Sequence, residues 1–76
     1  MNEFKVRCAA IGKTQKELFE ELNRHNANMS TVQQFYQYAS GNVDTPKSRI
    51  VLAAADKILR VWEKEAERNG KTIYKA

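Results

Sequence analysis

Apolar residues recur along this chain at spacings of three and four, while the alternation of a half-buried strand is absent except in the last few positions. The pattern predicts an all-α protein. Three glycines and one proline divide it into helical stretches at about 2–11, 14–25, 30–39 and 46–69. In the first, Phe4, Val6, Ala9, Ala10 and Ile11 form the apolar side, and Gly12 stands where a helix terminates. The second opens at Thr14 with Glu17 three residues on, the reciprocal capping box. Leu18, Phe19 and Leu22 supply its apolar stripe, and Glu20 and Arg24 are placed for an i, i+4 pair.

Asn23-Arg24-His25-Asn26-Ala27-Asn28 predicts a turn, because asparagine tolerates left-handed backbone and competes with helical hydrogen bonding. Ser30 or Thr31 caps the third helix, which Gly41 closes; Phe35 and Tyr38, three apart, define its inner side. After the loop 41–46, Thr45 as N-cap and Pro46 at the first helical position open the last helix. Its apolar positions are Ile50, Val51, Ala54, Ile58, Val61 and Trp62, and at ~24 residues it is longer than a cover for so small a core requires. Residues 1–70 are thus expected to form one small helical bundle of four to five helices, with 71–76 as a tail.

Charge changes the picture modestly. Thirteen Lys and Arg against nine Asp and Glu give a net +4, which favours an anionic partner. The excess is +2 over residues 1–13, +1 over 42–49 and +2 over 70–76; the third helix is neutral. With a single cysteine, Cys8, and a single histidine, His25, the chain has neither an internal disulfide nor the usual cysteine-histidine zinc set. Cys8 lies in an apolar-leaning helix and His25 in a turn, so the sequence predicts no enzyme and no cofactor. It has no apolar run of transmembrane length and no signal peptide, and it predicts a cytoplasmic, nucleoid-associated protein of a bacterial host.

The informative stretch is 14–41. Two helices joined by a turn, the second short and carrying amide and aromatic side chains, suit placement of that second helix in the DNA major groove. Here the chain resembles the Cro and phage-repressor (XRE-type) helix-turn-helix family. TQKELFEEL is similar to that family's first-helix pattern Thr-Gln-x-Glu-Leu-Ala, and TVQQFYQYASG to its recognition helix with a closing Ser/Asn-Gly. The resemblance implies a lambda-repressor-like fold and a sequence-specific, double-stranded DNA-binding regulator of phage or mobile-element type. It implies a recognition helix at 31–40, with Val32, Gln33, Gln34, Tyr36 and Gln37 facing bases and Leu18, Phe35 and Tyr38 in the core. Gln15, Lys16, Thr31, Asn42, Lys47 and Arg49 are the expected backbone contacts, with Lys5, Arg7 and Lys13 as flanking charges. Glutamine can bond adenine N6 and N7 together, and an apolar Val32 can meet a thymine methyl.

A regulator of this length has room for DNA binding and self-association only, so a homodimer is expected through Ile58, Val61 and Trp62, with Ala66 beyond them on the long helix. No membrane and no small-molecule substrate is expected. The alternative is a protein-binding adaptor or inhibitor that keeps the shape without DNA binding. Phe19 at a position where the family prefers a small residue, a turn about six residues longer than the family's, and a recognition helix without Arg or Lys all fit that alternative.

Overall fold

The computed structural model describes residues 2–68 as four helices: α1 (Glu3–Ala10), α2 (Gln15–Arg24), α3 (Val32–Ala39) and α4 (Pro46–Arg68). No strand occurs among the described residues, and the all-α expectation holds. The expected tail, 71–76, lies outside them. α4 is the spine: it packs on α1, α2 and α3, while α2 also meets α1 and α3. Its 23 residues run the length of a molecule 35 × 25 × 17 Å across.

The helices begin where side chains satisfy free backbone N–H groups. The Asn2 carboxamide oxygen accepts from the N–H of Phe4 at 3.0 Å and of Lys5 at 3.2 Å, so Asn2 is a cap and not the first turn of α1. Thr14 and Glu17 form the expected box, with Thr14 N–H donating to Glu17 Oε1 at 2.9 Å and Glu17 N–H to Thr14 Oγ1 at 3.1 Å. Thr45 and Ser48 repeat this reciprocity at α4, at 2.9 and 3.1 Å, with Ser48 1% exposed.

Three helices end the same way. After α1 the N–H of Lys13 reaches Cys8 O and that of Gly12 reaches Ala9 O; after α3 Asn42 reaches Gln37 O and Gly41 reaches Tyr38 O. These are Schellman closures, which require left-handed backbone at the residue past the cap, and Gly12 (φ 73°) and Gly41 (φ 83°) supply it. α2 closes identically through Ala27 to Leu22 O and Asn26 to Asn23 O, with Asn26 at φ 67° in the glycine position. Asn26→Ala is expected to cost about 1 kcal/mol and Asn26→Gly none. Urea unfolding of both variants checks this; equal losses would place the asparagine's contribution in its side chain.

Leu18, Leu22, Phe35, Ala55 and Leu59 are fully buried, and Cys8, Ile11, Met29, Tyr38, Val51 and Ala66 complete the core around them. Phe4 of α1 meets Phe35 of α3 with ring centroids 6.2 Å apart at 58°, a tilted aromatic contact. Burial pushes the Cys8 thiol up to about 11, so it stays protonated near neutral pH.

Polar contacts correct two expectations. Arg7, grouped by sequence with the DNA-flanking charges, turns onto α4 instead. Its guanidinium grips Glu63 through two bonds at 3.0 and 2.8 Å and Asp56 through a third at 2.8 Å. The side chain is half-buried because α1 crosses α4 there. Arg24 pairs with Glu21 rather than Glu20, and His25 Nε2 lies 3.1 Å from the same carboxylate. Three residues back is the shorter reach, and His25 holds the other oxygen. The two bonds, His25's the larger, hold the Glu21 carboxyl below its ordinary range.

Candidate nucleic-acid interface

α3 is oriented by what it buries. Phe35 and Tyr38 enter the core, fixing the phase of the helix so that Gln33 and Gln37, one turn apart, stand exposed with Thr31. Val32 and Tyr36 are half-buried, Tyr36 against the core. Thr31 caps α3 as expected, its hydroxyl accepting from Gln34 N–H at 3.3 Å. Gln34 differs from its neighbours. Its carboxamide oxygen accepts from Ser30 N–H at 3.0 Å and its nitrogen donates to Tyr38 Oη at 2.7 Å, so both ends are engaged within the helix and its approach. Gln34 holds the first turn of α3; Gln33 and Gln37 carry its exposed amides. The Gln37 oxygen accepts from Asn42 Nδ2 at 3.1 Å, tying the loop after α3 to the same row.

Of the expected backbone contacts, Gln15, Lys16, Thr31, Lys47 and Arg49 fall at helix starts, whereas Asn42 follows the end of α3. Gln15 opens α2 beside the start of α1, its Oε1 accepting from Asn2 Nδ2 at 2.5 Å, and Lys16 next to it is exposed. Lys47, in the first turn of α4, donates from Nζ to Asn28 O at 3.0 Å, which brings that helix start to the turn preceding α3. Arg49 is exposed but carries Asp44 on its guanidinium at 2.9 and 3.2 Å, so its charge is largely offset. Lys5 and Lys13 are also exposed; the Lys13 ammonium lies 5.1 Å over the Trp62 ring, a cation–π contact. The structure thus brings α3, the α2–α3 turn and the start of α4 together, and leaves Arg7 out.

The outer side of α4 also differs from expectation. Ala66 is buried, and Ile58 and Trp62 are half-buried against the chain's own core, because α4 covers α1 and α2 along much of its length. Of the three expected interface residues only Val61 is exposed, at 58%, and Ile50, at 70%, is more so. Two cavities open on this flank. One of about 530 Å³ lies between the α2–α3 turn and α4, with Leu22, Ala27, Ile50 and Ala54 in its lining; one of about 260 Å³ is lined by Glu21, Lys57, Ile58, Val61 and Trp62. His25 borders both. Sequence reasoning reached the part of this flank at Ile58, Val61 and Trp62 and missed the larger cavity at Ile50 and Ala54, although the breadth of the α4 apolar pattern, wider than one buried line, was a signal for it.

Among the described residues there is no group of three side chains able to hold a metal, and no helix is long and apolar enough to cross a membrane. Comparison with protein-family models, with curated proteins and with solved structures finds no match to this chain.

Proposed function

We propose that this protein is a sequence-specific, double-stranded DNA-binding regulator, working in the cytoplasm of a bacterial host, in which α2 and α3 act as a helix-turn-helix and α3 enters the major groove. The observation that carries the reading is the construction of α3. Its inner residues and Gln34 are committed to holding it, while Gln33 and Gln37 present amide groups outward on one row. An exposed amide pair one turn apart is the chemistry that reads adenine N6 and N7. Lys16 at the start of α2 and Lys47 beside the α2–α3 turn supply phosphate attraction without being on the reading helix, which suits a division between positioning and reading.

Duplex affinity is expected to fall with salt by about 0.9 log units per log unit for each phosphate contacted. Lys16→Ala lowers affinity uniformly across sequences and reduces that slope by about one contact. Gln33→Ala with Gln37→Ala leaves the slope intact and cuts discrimination between preferred and random duplex about tenfold or more. Selection from random duplexes, then titration of these variants, is the test. Absence of duplex binding at about 50 mM salt sinks the reading. That result favours the protein-binding adaptor, which the absence of any cation on α3 and the open apolar flank of α4 support.

A further inference from the structure

One line along α4 is left outside the fold. At 3.6 residues per turn, Lys47, Ile50, Ala54, Lys57, Val61 and Glu65 fall within an arc of about 80°, beside the buried line of Val51, Ala55 and Leu59. Ile50 is 70% and Val61 58% exposed, and each borders one of the two cavities on this flank. Val6 of α1 is as exposed, at 59%, but Ile50 and Val61 stand on one line with Ala54 between them, each at the edge of an apolar-lined cavity.

The line is complementary to its own reverse. Lay a second α4 antiparallel, with the twofold axis passing outside the helix between Ala55 and Asp56. Ile50 of each copy then comes opposite Val61 of the other and Ala54 opposite the aliphatic stem of Lys57, while Lys47, level with Lys64 of the other copy, lies one residue, about 1.5 Å, from the level of Glu65, which shares its side of the line. A parallel pair would set Lys47 against Lys47 and Glu65 against Glu65, so charge selects the antiparallel one. The small Ala54 near the axis lets the helices approach, and each cavity receives an apolar anchor: Val61 of the second copy beside Ile50 and Ala54, and its Ile50 beside Val61 and Ile58. The contact spans about 27 Å of helix from Lys47 to Glu65.

We infer that the chain pairs with a second copy of itself through this outer line of α4, in an antiparallel register set by Ile50–Val61 contacts and Lys47–Glu65 ion pairs. The inference rests on the paired state that a regulator reading a twofold site requires, and gives that state a contact other than Ile58 and Trp62, which pack on their own core.

Sedimentation equilibrium of the full chain is expected to give a dimer at micromolar concentration. Val61→Glu and Ile50→Asp, both at exposed sites, give monomers whose helix content and melting match a monomeric wild type under dilution. Lys47→Glu and Glu65→Lys each weaken pairing about tenfold, and an equimolar mixture of the two recovers wild-type affinity, since each mixed pair restores opposite charges twice. A wild type that stays monomeric at about 100 μM overturns the inference, as does a dimer unaffected by Val61→Glu or a mixture no tighter than its parents. The DNA reading fails separately. A monomer that still binds a half-site in a salt-dependent way sinks the pairing alone; a dimer that binds no duplex sinks the regulator and leaves the pairing.

Discussion

Phe35→Ala is expected to remove about 3–5 kcal/mol of stability, most of what a chain of this size possesses, and to leave a large unfolded fraction at 25 °C. The ring is fully buried and is the largest side chain so enclosed. It is where α3 enters the core, and through its tilted contact with Phe4 it also seats α1. Deleting it therefore opens a cavity and frees a second helix. Phe35→Leu, which keeps most of the volume, is expected to cost about 1 kcal/mol. Urea midpoints followed by far-UV circular dichroism separate the two variants. An alanine variant losing less than the leucine one would mean that α3 docks by its caps and not by its core side.

Arg7→Ala is expected to cost about 1–2 kcal/mol at neutral pH, because it removes three charge-assisted bonds at once between α1 and α4. The figure stays below that of a fully buried pair since the side chains of Arg7, Asp56 and Glu63 remain 24%, 35% and 36% exposed and are partly screened by solvent. The pH dependence has a definite sign. The hydrogen bond from Arg7, with help from Arg60, holds the Asp56 carboxyl below its ordinary range. A carboxylate lowered by folding adds stability above its unfolded value, about 4, and that stability is lost as pH falls through the lower folded value. The gap between wild type and Arg7→Ala should thus be full near pH 6 and close progressively below about pH 4. A gap constant down to about pH 2 would assign the loss to the packing of the arginine stem instead.

These two sites mark the limit of what the chain discloses by itself. Thr14 with Glu17, Thr45 before Pro46, and Gly12 and Gly41 at the helix ends were all legible, because caps and closures depend on residues two to four apart. Asn26 was legible only as part of a turn; Asn28 is left-handed too, and which asparagine takes the glycine position is set by where the last helical carbonyls lie. The Arg7–Glu63 grip joins residues 56 apart, and no local pattern distinguishes that arginine from Lys5 or Lys13. The same holds for the proposed interface. The inner phase of α3 followed from Phe35 and Tyr38, whereas the engagement of Gln34 depends on the approach of Ser30 to the helix. On α4 the apolar width was visible in the sequence, but its division into a covered and an open line is decided by how far α1, α2 and the turn reach across it.

The position of α4 has a consequence for how the protein is made. Every other helix leans on it, and it is the last of the four to leave the ribosome. α1 to α3 emerge first as segments of eight to ten residues, too short to persist alone in water. Their apolar sides meet one another but remain uncovered on the side of α4 until residues 51–59 appear. These helices therefore complete their fold only once α4 has emerged, and a chain stopped before α4 is expected to be a substrate for proteases.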